Sequence, residues 1–307
     1  MTLLSRMGYS PTKEQEIEVP TKIVAPKISV IIPVKNNQDG ISRLLDKFEE
    51  IFINKESPAE VIIVDNNSDI PLRIKEKWSY NVILKSCSRI GPAAARNEGA
   101  SHATGEWLLF IDSDCIPSET TVHGYCATGN VHAAYAGNIS VKSKDKLSRY
   151  YATQETLIPP KAIDGSKKRP DYLVTANCLV SKEAFVAVGG FDETFVLAGG
   201  EDIDLGFKLL RIGSLSYNWE SIVYHTFDDG LLGFWKRFKR YGIGNRKLAE
   251  KYQLDLTPRP FIPNEVSISN LALAIVQYAS MRLGYREKHI TRISTRTAVP
   301  LRSTESG

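Results

Sequence analysis

The chain has 307 residues, 42% of them hydrophobic and 24% charged, with a formal net charge of +4. That length fits one large α/β domain with additions, or two small domains, and the composition excludes a disordered chain. So mild a charge excludes nucleic-acid binding by bulk electrostatics. Only the C-terminus is strongly basic: Arg282, Arg286, Lys288, Arg292, Arg296 and Arg302 face one acid, Glu287.

Residues 1–26 read as a polar leader that ends at Pro26. They lack the long apolar stretch of a signal peptide. "KISVIIPV" (27–34) is a β-branched run, as expected of a strand buried on both faces. Helical spacing follows through Ile41, Leu44, Leu45 and Phe48. "EVIIVDNNS" (60–68) and "NVILKS" are the next two strands, and Pro92 opens an alanine-rich helix. "EWLLFIDSD" (106–114) is the fourth strand. This alternation predicts a mostly parallel α/β sheet with helices on both faces.

Ligands of such sheets bind beyond the carboxyl ends of the strands. Three strands end there in polar clusters, "PVKNN", "VDNNS" and "DSD", which predicts one shared rim. Further on, 131–141 reads as a strand, "KDKLSRYYATQE" as a helix and 159–170 as a mobile loop. "GGEDIDLGFKLLRIG" starts a helix with Leu205, Leu209 and Leu210 inward, and a strand ends at His225. Residues 231–252 form an amphipathic basic helix with Leu231, Phe234, Trp235, Phe238 and Tyr241 on its apolar side. The stretch "SISNLALAIVQYASM" is too short to predict a transmembrane span. Cys87, Cys115, Cys126 and Cys178 form no C-x-x-C pair, which suits reduced thiols and a cytoplasmic setting.

Two carboxylates at the end of a buried strand need a positive partner, either a metal ion or a basic side chain. Strand alternation would turn Asp112 and Asp114 to one side, where they could hold Mg2+ or Mn2+. The bland alternative is a turn whose aspartates cap the next helix. Asp65 with Asn66, Asn67 and Ser68 could meet a nucleobase and ribose, or could simply form an Asx turn. Arg96 lies in an early helix near the rim, either toward a diphosphate or paired on the surface with Glu98. No G-x-G-x-x-G is present, which disfavours a dinucleotide. Glu201, Asp202 and Asp204 are three acids where helix capping needs one, so one of them is a candidate general base. His225 is a candidate third metal ligand.

The order "ISVIIPVKN", "VIIVDNNS", "GPAAARNEGA", "GEWLLFIDSD", "NCLVSKEAFVAVGGFDE", "GGEDIDLGFKL" and "VYH" resembles the family 2 glycosyltransferases of the A-type fold over roughly residues 27–250. The resemblance implies a Rossmann-like nucleotide-binding half, an acceptor-binding half, and inverting transfer of one sugar from a nucleotide-diphosphate donor, UDP-sugar first. It implies that Pro33, Lys35, Asp65, Arg96, Asp112 and Ser113 border the nucleotide. It further implies that Asp114, with Asp112 and His225, holds Mn2+ or Mg2+, that Glu201 holds the acceptor, and that Asp202 is the base. Asn66 stands where the family often has a second Asp, which opens the base specificity. The Q-x-x-R-W motif of the processive synthases is absent. The implied organisation is a leader (1–26), a catalytic domain (27–252) and a helical extension with the basic tail (253–307).

The expected partners are a nucleotide sugar and a saccharide, lipid-linked or small-molecule acceptor. The basic helix and tail add an expectation of peripheral contact with the inner face of a membrane. A binding protein or partner subunit without catalysis is the competing reading, but it would not need to keep Asp112, Asp114, Glu201, Asp202 and His225 together. A sugar-phosphate nucleotidyltransferase would want a glycine-rich phosphate loop after the first strand, and "IIPVKNNQDG" is a poor match.

Overall fold

The computed structural model describes residues 27–126, 132–142, 145–159, 161–164 and 167–287. The polar leader and most of the basic tail lie outside these residues. The strands are β1 (Ile28–Val34), β2 (Glu60–Asp65), β3 (Val82–Ser86), β4 (Trp107–Ile111), β5 (Cys115–Pro117), β6 (Ala134–Val141), β7 (Lys161–Asp164), β8 (Lys167–Pro170), β9 (Asn177–Ser181) and β10 (Leu215–His225). The helices are α1 (Gln38–Phe52), α2 (Pro92–His102), α3 (Lys146–Thr153), α4 (Lys182–Ala187), α5 (Glu201–Leu209), α6 (Gly230–Tyr252) and α7 (Ile268–Arg286).

Eight strands form one sheet in the order β3-β2-β1-β4-β9-β6-β10-β5. The first four run parallel, as expected. In the second half β6 and β10 also pair in parallel, so four of the seven pairings of this sheet are parallel, in line with the mostly parallel expectation. β9 runs antiparallel to both β4 and β6, and β5 runs antiparallel to β10. The sheet is therefore mixed. For β5 the connection is short: a tight turn, in which Cys115 N donates to Asp112 O, follows β4 and reverses the chain without a crossover helix. Residues 159–170, expected as a loop, include the β7–β8 hairpin. Lys and Arg hid it, because a two-stranded ribbon outside the main sheet has no apolar alternation to show.

Both faces of the sheet are covered. Ile28, Val30, Ile32 and Val34 of β1 pack with Ile41, Leu44, Leu45 and Phe48 of α1. Ile31 points the other way, toward Ala93, Ala94 and Ala95 of α2 and Leu205 and Leu209 of α5. Alternation along a strand produces this two-sided core. Alanines let α2 lie close to β1 and β2. Asn37 caps α1, its side chain accepting from Gly40 N.

The three polar strand ends meet, as the sequence predicted. Asn36 N donates to Ser68 Oγ at 2.9 Å, and Asn37 Nδ2 donates to Ser113 Oγ at 3.0 Å. Loops after β1, β2 and β4 are thus stitched into one rim.

α6 buries Phe234 and Phe238, but Leu231, expected inward, is 65% exposed at the helix start. α7 packs back on α6 where Gly242 faces the Met281 carbonyl and Gly284 faces the Lys239 carbonyl. A side chain at either glycine would meet backbone, which cannot yield as a flexible side chain can. We expect Gly284→Val to cost about 1–3 kcal/mol, the usual range for overpacking; an unchanged urea midpoint would show that α7 does not need this approach. Among the described residues, no helix is long and apolar enough to cross a membrane.

Candidate active site

A cavity of about 650 Å³ opens at the rim. Pro33 and Lys35 after β1, Asp112, Ser113 and Asp114 after β4, and Glu201 and Asp202 of α5 all contribute to its wall. Arg96 and His225 line it as well. Nine of the ten residues predicted from sequence therefore converge, although they span nearly 200 positions. Asp65 is the exception and does not line the cavity. Its Oδ1 accepts from Ser68 N at 3.0 Å and its Oδ2 from Leu72 N at 3.2 Å, so both oxygens serve the turn. Its neighbour Asn66 does reach the cavity, yet its amide donates to the Cys87 and Arg89 carbonyls and its Oδ1 accepts from Gly91 N.

The two aspartates of "DSD" do not alternate on a strand. β4 ends at Ile111, and Cys115 N donates back to Asp112 O, so the motif is a turn. Each carboxylate finds its own partner. Arg96 donates to Asp112 Oδ1 at 2.7 Å, while Asp114 Oδ2 lies 3.3 Å from His225 Nε2. The pairing with Glu98 belongs to Arg89 instead. Arg96 is buried, and its second nitrogen donates to Glu201 Oε1 at 3.0 Å. Burial opposes its charge, but Asp112 and Glu201 outweigh that and raise its pKa further.

The three acids of "GGEDID" divide three tasks. Glu201 is buried; it accepts from Arg96 and, at 2.6 Å, from Gly199 N. Asp204 is buried behind the site, with Lys251 at 2.5 Å and the Tyr252 hydroxyl donating to it at 2.7 Å. Asp202 and Glu201 both line the rim cavity, but Asp202 alone of the three also lines a second cavity. Burial, and next to it the neighbouring Glu201, push its pKa up to about 7. Gly199 and Gly200 precede it at φ +133° and +100°, angles that favour glycine and set the sharp entry to α5.

Asp114 and His225 fit a divalent cation. An oxygen and an imidazole nitrogen 3.3 Å apart can share one ion. The His225 ring stacks on Phe227 with centroids 4.4 Å apart, and its Nδ1 is buried without a partner among the described residues. Burial opposes ionisation of Asp114, yet the His225 ring and the Arg237 guanidinium hold its pKa below the usual range. Cys115 Sγ is the third group of this cluster. Burial, with Asp114 and Asp112 beside it, pushes that thiol well up.

Arg237 and Arg240 also line the cavity. Sequence reasoning named them only as part of a basic helix face, with diphosphate contact as one alternative. Arg237 stands 4.8 Å over the Phe227 ring and donates to Asp229 at 3.0 Å. The Nε atoms of both arginines are buried without partners among the described residues. Basic residues three apart along "FWKRFKR" lie on one helix face, which was the available signal.

Comparison with known proteins places this geometry. Pre-mycofactocin glycosyltransferase of Mycobacterium tuberculosis is 28% identical over 240 residues, covering 73% of this chain and 48% of that protein. Glycosyltransferase AglE of Haloferax volcanii is 34% identical over 190 residues, covering 57% of this chain and 59% of that protein. The chain thus spans about half the length of the first of these relatives. Among solved structures, a mannosyltransferase from Pyrobaculum calidifontis in complex with GDP-Man and Mn2+ superposes with a TM-score of 0.54 at 18% identity, covering 87% of this chain and 77% of that one. TarS 1–349 of S. aureus in complex with UDP-GlcNAc also gives 0.54 at 18% identity, covering 83% and 81%. Such identities speak for the fold. The family described as "Glycosyl transferase family 2" matches residues 29–185, just over half of the sequence, and the chain belongs to that family.

Proposed function

We propose that the protein transfers one sugar from a nucleoside-diphosphate sugar to an acceptor hydroxyl with inversion, with a UDP-sugar as the leading donor. The observation that carries this reading is Asp202. It is an acid with a pKa near 7, and it borders both the rim cavity and a second cavity behind it. A base must touch the acceptor while the donor lies within reach, and only a residue on a shared wall can do both.

In this reading the donor lies in the rim cavity, with its diphosphate toward Asp114, His225, Arg237 and Arg240. Mn2+ or Mg2+, held by Asp114 and His225, would neutralise charge on the departing diphosphate. Asp202 takes the proton of the acceptor hydroxyl. The acceptor oxygen then attacks the anomeric carbon as the bond from that carbon to the diphosphate oxygen breaks. A single displacement of this kind inverts the anomeric centre and forms no sugar–enzyme bond. Arg96 does not touch the donor in this scheme; it holds Asp112 and Glu201 in place.

The test is nucleoside diphosphate release from UDP-, GDP- and dTDP-sugars, with Mn2+, with Mg2+ and with EDTA. One donor should give metal-dependent release, abolished by EDTA and restored by excess Mn2+, and the product should carry the inverted anomer. Equal release in EDTA would remove the metal from the scheme. A retained anomer would overturn single displacement. No release from any donor would favour the binding-protein reading.

A further inference from the structure

The second cavity, about 620 Å³, shares Leu157, Val174, Gly199, Asp202 and Tyr241 with the rim cavity. Its remaining wall differs in chemistry. The rim cavity carries Lys35, Arg96, Arg237 and Arg240. The second has one basic residue, Arg259, which donates to Asp255 at 2.7 Å and is 72% exposed. Its character comes instead from rings: Tyr172, Phe238, Tyr241, Phe261 and Tyr278, with Pro258 and Met281 between them. The polar groups are mostly neutral amides, Gln154, Asn245 and Gln277, the last already accepting from the Tyr150 hydroxyl at 2.7 Å.

We infer that this cavity binds an uncharged acceptor whose ring body lies against the aromatic wall and whose hydroxyl reaches Asp202. The inference rests on the transferase reading and adds the acceptor's class to it. Aromatic faces hold planar rings and the apolar faces of saccharides alike, and need no charge to do so. A phosphorylated acceptor would bring two or more negative oxygens into a space whose only guanidinium is already paired, beside the carboxylates of Asp202 and Glu155. That placement is unfavourable by desolvation and by like-charge repulsion. Anionic groups belong in the rim cavity, where the cations are.

Four of the five rings, those of Phe238, Tyr241, Phe261 and Tyr278, come from α6, α7 and the segment that joins them. All four lie beyond the residues that the family description matches. These rings thus come from the same C-terminal part of the chain that supplies Glu201, Asp202 and His225. Phe261 and Tyr278 touch only this cavity and not the rim cavity, so they can be altered without disturbing the donor wall.

The experiment uses the full chain and three probes: 4-nitrophenyl β-glucoside, a free disaccharide, and a short polyprenyl phosphate in detergent. Binding is read by saturation-transfer NMR, and turnover by nucleoside diphosphate release with the active donor. The aryl glucoside should receive saturation and accelerate release. Phe261→Ala and Tyr278→Ala should each weaken aryl-glucoside binding roughly five- to tenfold, the loss of one aromatic contact, and raise its KM in step without a matching change in donor KM. A disaccharide that performs equally well would assign the wall to saccharide rings, and the aryl probe alone would assign it to aromatic ones; both support an uncharged ring acceptor. Preferential binding or turnover of the polyprenyl phosphate would overturn the inference. So would aryl-glucoside binding that both variants leave intact, or no binding of either neutral probe. Where no donor turns over, the transferase reading fails, and the binding arm still decides what the cavity takes.

Discussion

Asp202→Asn is expected to lower turnover by roughly 10²–10⁴, the usual contribution of a general base. The amide keeps the shape of the side chain and its place on the shared wall, so donor affinity should stay close to that of the parent protein. The wild-type pH profile should carry the same signature. A base works only when ionised, and burial beside Glu201 holds this carboxyl near pH 7. Turnover should therefore rise with pH through about 7 and fall about tenfold per unit below it. An exposed aspartate would place that limb near its reference value of about 3.9. The decisive measurement is the pH dependence of kcat at saturating donor and acceptor. A limb below pH 5, or an Asn variant with near-parental turnover, would remove Asp202 from the role of base.

The second large effect concerns the ion triad beneath the site. Arg96→Met should destabilise the fold by about 3–5 kcal/mol, the range for removing one member of a buried pair. Arg96 and Glu201 have side chains only 4% and 3% exposed. Loss of the guanidinium strands Glu201 as an uncompensated buried charge, whereas Asp112, 32% exposed, can turn to water. The asymmetry predicts the rescue. Adding Glu201→Gln should recover part of the lost stability, and Asp112→Asn should recover less. Urea unfolding of the single and double variants checks this; an Arg96→Met midpoint equal to the parent's would show that the triad does not hold the site together. The triad also explains why "GPAAAR", "DSD" and "GGED" occur at such distant positions. One guanidinium ties α2, the β4 turn and α5 together.

Periodicity and end chemistry by themselves determined the parallel half-sheet, the helices over both its faces and the rim where three polar clusters meet. Those features depend on local spacing, which a chain carries along its length. The convergence of Pro33, Lys35, Arg96, Asp112, Ser113, Asp114, Glu201, Asp202 and His225 was legible for the same reason: each sits at an element end that topology sends to one side of the sheet. Local signals could not say which partner each charge would choose. A phosphate and Glu201 are equally open to Arg96 in the sequence, because a sequence names the charge but not its solvation. Asp65 stands outside the cavity wall, with each of its oxygens accepting from a nearby backbone amide. The antiparallel β9 and β5, and the β7–β8 hairpin, depend on pairing between distant strands, which no local pattern encodes. Only the tertiary structure packed α6 and α7 together beside Asp202, built a cavity of rings there, and left Asp202 as the one acid on the wall between two chemistries. Burial decided that division, and burial is a property of the folded chain.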